Sequence, residues 1–462
     1  MVRLFKHYVP YAVLLLGVVD AVLLLVSAEL GWVIRAHQIG MMVDPMVTRL
    51  PQLVAFVAAL QVALIAVGAY GVASFLSLRF AAARLAVAIL LGVAFLSIVF
   101  FLVPPLALWR SNLAYATLIA ATLLVVVRAL LGRTLGGDMF KRRIVVLGAG
   151  HRAARIATLA AQPGANVVVA GFVAMGEANP TVSGAVPRDE IPNLAGFVVD
   201  HNASEVVLAL EERRNALPLK DLLRVKTTGV TVSDISTFLE RETGRIDLHS
   251  VSPSWLIFSD GFASGRMLSS VFKRAFDVTA SALLLLLTLP VILIAAVAIK
   301  LESAGPAFYR QRRVGLYNQC FEIPKLRSMR QDAEVAGQAV WAEKDDPRIT
   351  RIGRFIRKVR IDELPQTWSV LKGEMSFVGP RPERPQFVGQ LEQQLPYYAE
   401  RHMVKPGITG WAQINYPYGA SIEDARHKLE YDLYYAKNYS PFLDLLILLQ
   451  TLRVVLWPAG AR

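Results

Sequence analysis

The sequence is short of the residue types that usually mark a thiol, zinc or redox protein. It has one cysteine, Cys320, in 462 residues, which excludes an internal disulfide and a thiolate metal cluster. Its seven histidines are scattered with neither HxxxH nor HExxH spacing, so a zinc site is not expected. No Tyr-x-x-x-Lys pair occurs, against a nucleotide-sugar dehydratase or epimerase, and no Asp-x-Asp, against a metal-dependent glycosyltransferase. Internal repeats and low-complexity segments are absent as well. Acidic residues are the scarcer charge: 36 Asp and Glu stand against 49 Lys and Arg, a net charge of +13, with a pI of about 9.8.

What is abundant is apolar. Hydrophobic residues make up 54% of the chain and the mean hydropathy is +0.44, which points to membrane segments. In such a protein an excess of basic residues marks the cytoplasmic side, so nucleic acid is not an expected partner. Four long apolar stretches come first, at 9–28, 53–76, 85–103 and 113–131. At ~1.5 Å per helical residue each can cross a hydrocarbon core of ~30 Å. The first is too long for a signal peptide and has no small-x-small cleavage site. Basic residues alternate in density between the stretches. Arg3 and Lys6 precede the first, Arg79 and Arg84 follow the second, and Arg128, Arg133, Lys141, Arg142 and Arg143 follow the fourth. Arg35, Arg49 and Arg110 are the sparser set on the other side. This bias puts the N-terminus and everything after residue 132 in the cytoplasm. Asp20, inside the first stretch, reads as a helix-packing acid, with no second intramembrane charge to relay to.

Residues 141–262 read as a Rossmann-like α/β domain. An apolar strand from Arg143 runs into a glycine turn, and a helix follows from His151 to Ala161. Further strands are expected at Val167–Val173, Glu205–Ala209 and Val230–Val232, with a helix at Leu217–Thr227. Gly148-x-Gly150-x-x-Ala153 is like the dinucleotide fingerprint. No assured acid stands at the ribose position, so a structural or regulatory domain is the preferred reading over a working NAD site.

A fifth apolar stretch, Val278–Ile299, has Pro290 in its middle. A full crossing would carry residues 301–462 outside, yet 261–462 holds 27 Lys and Arg against 19 Asp and Glu. A broken helix over 276–300 that enters the membrane and returns to the same face reconciles the two, its freed carbonyls finding donors in protein or at the interface. The alternative is a fifth, kinked span. Beyond it, 300–440 is mixed and basic, Ile422–Ala436 reads as a helix, and Pro441–Trp457 as an interfacial helix.

The chemistry concentrates between Arg348 and Pro382. Ile349, Ile352, Ile356 and Val359 have the spacing of one helix face, with Arg351, Arg354, Arg357, Lys358 and Arg360 around it. Two adjacent carboxylates, Asp362 and Glu363, come at its end, just before Pro365. Gly379-Pro380-Arg381-Pro382 is a second, stiff basic element. Carboxylates among arginines stay ionised, can hold Mg²⁺ or can attack phosphorus. Phosphate groups are the natural substrates of such a field. A basic helix lying on anionic lipid, with ordinary ion pairs, would show the same pattern.

Five separated motifs narrow this: KRAFD at 273–277, KLRSM at 325–329, DELPQ at 362–366, FVGPRP at 377–382 and KPGITGWAQ at 405–413. Over 271–457 the chain resembles the polyprenyl-phosphate hexose-1-phosphate transferases, the bacterial sugar transferase family. With the preceding spans (1–135) and the Rossmann-like domain it is similar to the long form of that family. INYPYGAS at 414–421 is similar to its exopolysaccharide branch. The resemblance implies an enzyme of the bacterial inner membrane, catalytic on the cytoplasmic face. Such an enzyme moves a hexose-1-phosphate from a UDP-sugar to undecaprenyl phosphate and so starts exopolysaccharide or O-antigen repeat units. It implies Asp362 as the nucleophile, Glu363 as a Mg²⁺ ligand and Arg357 and Arg381 as phosphate-holding residues. Lys325 and Asp444 match further positions near the site. The hexose and the occupant of the Rossmann-like domain are left open, as is a homodimer. Two departures stand out. Leu289-Pro290 replaces the Ser-Pro that many members carry at the membrane break. Tyr416-Pro417-Tyr418 stands where some small members have an arginine, so nucleotide contacts there do not carry over.

Overall fold

In a computed structural model the chain is described over residues 2–4, 7–9, 11–43, 45–70, 78–134, 141–163, 165–176, 180–211, 217–251, 253–258, 261–262, 267–330, 348–417, 419 and 421–456. It divides into two compact units, Met1–Val251 and Ser252–Arg462.

The first unit starts with two short antiparallel strands, β1 (Val2–Leu4) and β2 (His7–Val9). Four long apolar helices follow: α1 (Tyr11–Gln38), α2 (Leu50–Val67), α3 (Leu78–Leu102) and α4 (Arg110–Thr134). Their shared core holds Leu24, Leu53, Phe56, Leu60, Leu64, Leu85, Leu96, Ala120 and Leu124. Outward positions stay apolar too, as at Leu90, Phe101 and Leu118, the pattern of helices that face lipid. With the long helix of the second unit, five described helices are long and apolar enough to cross a membrane.

Asp20 has a charged partner that hydropathy did not reveal. Helix α4 runs on to Thr134 and carries Arg128 with it into the bundle. Arg128 donates to both Asp20 carboxylate oxygens, at 3.0 and 2.7 Å, and both residues are buried. A bidentate pair is how an apolar bundle tolerates two charges. The expectation that Asp20 has no second charge beside it, and that Arg128 belongs with the basic residues beyond the fourth stretch, is therefore corrected.

The α/β part forms as its alternation dictates. Strands β3 (Arg142–Leu147), β4 (Val167–Ala174), β5 (Val186–Pro187), β6 (Glu205–Leu208) and β7 (Thr231–Asp234) make one sheet in the order β5-β4-β3-β6-β7. Every pairing is parallel. Side chains of one strand point alternately to opposite faces. Val145 and Leu147 thus pack with Leu194, Val198 and Val225 from α6 (Leu194–Asp200) and α7 (Leu219–Thr227). Ile144 and Val146 pack with Ala153, Ile156, Ile235 and Phe238 from α5 (His151–Ala160) and α8 (Ile235–Thr243). At the glycine turn, Glu211 Oε1 accepts the Arg152 backbone N–H at 2.9 Å and lies 2.7 Å from where a Cβ on Gly150 would stand. A carboxylate of the chain itself thus meets the helix N-terminus that a dinucleotide phosphate would otherwise take.

In the second unit a short helix, α9 (Pro253–Phe258), precedes α10 (Met267–Glu302). Trp255 and Phe262 have partners in this unit: Lys437 Nζ sits 3.9 Å from the Trp255 ring centroid and Phe262 N donates to Lys437 O. Helix α10 is one continuous element with Pro290 inside it. Strands β8 (Phe308–Val314) and β9 (Cys320–Leu326) form an antiparallel hairpin. Then come α11 (Arg351–Lys358), a 3-10 turn at Ile361–Gln366 and α12 (Thr367–Lys372). Strands β10 (Ser376–Val378) and β11 (Gly407–Thr409) pair in parallel, with α13 (Pro385–Gln394) and a 3-10 turn at Ala399–Met403 between them. Helices α14 (Trp411–Asn415), α15 (Ile422–Asn438) and α16 (Pro441–Leu456) complete the unit.

The unit grips α10 at both ends. Near the start, Arg274 donates to the carbonyls of Val370 and Leu371 at 2.8 and 2.7 Å. Asp277 Oδ1 accepts from Ser376 Oγ and Phe377 N, both at 3.1 Å. At the finish, Glu302 Oε1 accepts from Arg351 N at 2.7 Å, and Arg327 donates to the carbonyls of Ser303 and Ala304 at 2.8 and 2.7 Å. Ile292, Ala295 and Ile299 pack with Leu326 and Ile356.

Candidate active site

The site is built on the turn between α11 and α12. Thr350 caps α11, its hydroxyl accepting from Gly353 N at 2.9 Å. The apolar face is shorter than the isoleucine spacing suggests. Ile352 and Ile356 pack inward, but Ile349 lies before the cap, in a bridge to Met329, and Val359 is exposed. Arg360 then takes φ +60°, a left-handed conformation uncommon for a side-chain-bearing residue. That reversal leads directly into the 3-10 turn and sets Asp362 and Glu363 on its first residues.

The two carboxylates have different surroundings. Glu363 Oε1 accepts from Arg381 Nη2 at 3.0 Å and Lys325 Nζ at 3.3 Å, and its Oε2 lies 3.9 Å from Arg360. Burial opposes its charge, but Arg381, Lys325 and Arg360 outweigh burial and hold it well below the usual carboxylate range. Asp362 is buried, and its Oδ1 has no hydrogen-bond partner. Burial and the neighbouring Glu363 charge raise its pKa, against the pull of Lys325, Arg357 and Arg360. Lys325, on β9, is pushed down by burial, with Glu363 working the other way.

Arg381 is reached by a separate route. Gly379 closes so tightly on the β11 segment that a Cβ there would stand 2.2 Å from Lys405 O; only glycine permits this approach. The stretch that follows carries Arg381 back to Glu363. Five of the six residues expected at the site, Asp362, Glu363, Arg357, Arg381 and Lys325, are thereby gathered by contact or by charge.

Asp444, the sixth, takes its partners elsewhere. Its Oδ2 accepts from Lys273 Nζ at 2.6 Å and its Oδ1 from Tyr435 Oη at 2.7 Å. Both donors also reach Val378 O, at 3.1 and 3.0 Å. This cluster ties α10 and α16 to the strand that leads into Gly379-Pro380-Arg381. Sequence reasoning assigned no site role to Arg401 and Asp432, described below. They carry no local motif, and their pairing spans 31 residues.

Among the described residues no three His, Cys, Asp or Glu side chains converge on a point. A divalent cation here would therefore need oxygens from a substrate as well as from the protein, the usual manner for Mg²⁺ on phosphates. The partnerless Asp362 oxygen and the neighbouring Glu363 carboxylate fit that arrangement; a cage made wholly of protein does not. Adjacent carboxylates, one braced by cations and one buried with a free oxygen, suit nucleophilic attack on an anionic phosphorus centre.

Comparison with known proteins covers the same segment of the chain. Residues 268–458 match the family model described as bacterial sugar transferase. Over 241 residues the chain is 44% identical to the UDP-N-acetylgalactosamine-undecaprenyl-phosphate N-acetylgalactosaminephosphotransferase of Aeromonas hydrophila, a match covering 52% of this chain and 56% of that protein. The chain thus spans little more than half the length of that relative. It is 43% identical to an uncharacterized sugar transferase of Bacillus subtilis, covering 42% of this chain and 91% of that protein. It is 41% identical to the UDP-glucose:undecaprenyl-phosphate glucose-1-phosphate transferase of Caulobacter vibrioides, covering 45% of this chain and 80% of that protein. With 91% and 80% of two such relatives matched, and the family model spanning the residues that include Lys325, Asp362, Glu363 and Arg381, the chain belongs to the bacterial sugar transferase family.

Proposed function

We propose that the protein transfers a hexose-1-phosphate from a UDP-sugar to undecaprenyl phosphate, through a phosphosugar held covalently on Asp362. The observation that carries this reading is the buried, partnerless Oδ1 of Asp362 beside a Glu363 already neutralised by Arg381 and Lys325. The Asp362 carboxylate attacks the phosphorus that bears the sugar. The bond from that phosphorus to the bridging oxygen breaks, and UMP leaves. An oxygen of undecaprenyl phosphate then attacks the same phosphorus and frees the Asp362 carboxylate, giving undecaprenyl-diphosphate-sugar. Arg381, Lys325 and Arg357 hold phosphate oxygens and offset the repulsion between the carboxylate and its target. Glu363, together with substrate oxygens, would hold Mg²⁺, which would supply further neutralisation of the diphosphate.

The topology that suits this chemistry has the site on the cytoplasmic face of the bacterial inner membrane, where a soluble nucleotide sugar and a lipid phosphate meet. The basic loops support it. The capture of both ends of α10 by one polar unit supports a helix over 276–300 that dips into the bilayer and returns. In this reading 1–135 anchors the chain, the α/β domain that starts at 141 and ends within the first unit at 251 is structural or regulatory, and 271–457 performs the transfer that opens an exopolysaccharide or O-antigen repeat.

The test is release of UMP by the purified full chain with Mg²⁺ and undecaprenyl phosphate, across UDP-glucose, UDP-galactose and their N-acetylated forms. Release of UMP with one of them is the expected result. Release of UDP instead, or no nucleotide product with any donor, overturns the proposal.

A further inference from the structure

We infer that the buried pair Arg401–Asp432 is a positioning device for Arg381, an inference that rests on the transfer reaction proposed above. Arg381 sits between two prolines, neither of which has an N–H to fix the loop. Its neighbours are held through their carbonyls instead, four in a row. Pro380 O accepts from Gly407 N at 2.9 Å and Glu383 O from Val314 N at 2.9 Å. Between them, Arg381 O accepts from Arg401 Nη2 at 2.9 Å and Pro382 O from Arg313 Nη1 at 3.1 Å. The outer two anchors come with strand packing. The inner two require arginine side chains sent from other elements.

Arg401 is the more committed of those two. It is buried, and its Nε and Nη2 both donate to Asp432 Oδ2, at 3.1 and 2.7 Å. Its Nη1 donates to Tyr398 Oη at 2.9 Å. With its charge neutralised by Asp432, Arg401 adds little field at the carboxylates. Stability does not explain the pair either, since apolar residues of like size commonly replace a buried ion pair at no loss. What apolar residues cannot replace is the donor to Arg381 O. The guanidinium of Arg381 reaches Glu363 from that fixed backbone, and a shift of about 1 Å in a phosphate-holding group costs on the order of 10²-fold in rate.

The experiment is a cycle in the full chain, read as UMP release. Arg401→Met with Asp432→Leu removes the pair and leaves no unpaired charge. Its turnover number is expected to fall about 10- to 100-fold, the usual cost of losing a supporting contact, with its melting temperature near that of the parent. Arg381→Ala is expected to cost about 10²- to 10³-fold in the parent and only a few-fold more in the paired variant, because the misaimed guanidinium has already lost its effect. Equal cost of Arg381→Ala in both backgrounds overturns the inference, since a purely structural pair leaves that cost unchanged. So does an Arg381→Ala variant with parental turnover. Should the double replacement fail to fold, Arg401→Lys keeps a cation for Asp432 without the fork that also reaches the carbonyl, and the same cycle applies. Failure of the reaction itself would show separately, as absence of UMP from the parent chain.

Discussion

Arg381 and Lys325 share one oxygen of Glu363, at 3.0 and 3.3 Å. The cations available to a phosphate are thus held in place by a carboxylate that a metal would also use. In the proposed reaction an incoming diphosphate would take over hydrogen bonds from those cations and leave the Glu363 carboxylate for a divalent cation. Such an exchange would keep desolvated charges compensated at each stage.

Replacing Glu363 by Gln separates the two halves of that exchange. The amide keeps the size of the side chain but has no charge to give a cation or to hold Arg381 and Lys325. Turnover is expected to fall by roughly 10²- to 10³-fold, and the Mg²⁺ concentration for half-maximal UMP release to rise by about tenfold or more. A Mg²⁺ titration of the variant checks this, and an unchanged midpoint removes Glu363 from the metal's coordination.

Asp362→Asn tests the nucleophile. An amide cannot form the acyl phosphate, so the expected loss is at least about 10³-fold. Donor labelled in the sugar phosphate should leave label on the parent protein, in the absence of undecaprenyl phosphate, and none on the variant. Full turnover by Asp362→Asn, or label retained by both, assigns the attack to another group.

The parts of the molecule that could be read from sequence are those whose signal is local. The apolar runs became α1 to α4, and the strand at Arg143 and the helix at His151 became β3 and α5, because hydropathy and alternation act over one element. Asp362 and Glu363 were visible because they are adjacent and their basic neighbours sit one or two turns away. Long-range partners gave no such signal. Arg128 pairs with Asp20 across 108 residues, and Lys273 with Asp444 across 171. Periodicity also overshot: Ile349 and Val359 continue the isoleucine spacing, but Thr350 caps the helix and Arg360 reverses the chain, and neither event appears in a hydrophobic pattern. The three-residue strands β1 and β2 are too short to show alternation at all.

His402 predicts a dependence of stability on pH. Neither ring nitrogen has a hydrogen-bond partner, and burial, with Arg401 beside it, lowers its pKa from 6.5 to about 3. The unfolded chain takes up a proton below about 6.5, whereas the folded chain keeps the ring neutral down to about 3. The unfolded state binds more protons in that window, so stability is full above 6.5 and is lost as the pH falls. From pH 7.5 to 5 the expected loss is about 2 kcal/mol from this residue. Thermal unfolding of the full chain at the two pH values measures it, with His402→Phe as the comparison. The variant should lose less stability on acidification; an equal loss assigns the effect to other groups.

The last prediction concerns which side of the membrane the two ends of α10 occupy. Its 36 residues would extend ~54 Å as a straight helix, more than enough to cross. Yet Arg274 near the start and Glu302 at the finish are bonded to one unit, through Val370 and Leu371 and through Arg351. The protein between those anchors includes Lys325, Arg327, Arg354 and Arg357, which a bilayer core would admit only at several kcal/mol. If α10 crossed, that charged stretch would have to cross beside it. A re-entrant path would require a bend near Pro290, where the Leu286 carbonyl lacks its helical donor, to keep both anchors at one face. Val271→Cys and Ala304→Cys, each exposed and each made with Cys320→Ser, because Cys320 is itself exposed, report this through a membrane-impermeant maleimide. Both are expected to label from the cytoplasmic side of sealed vesicles. Label from opposite sides makes α10 a true span and overturns the re-entrant path.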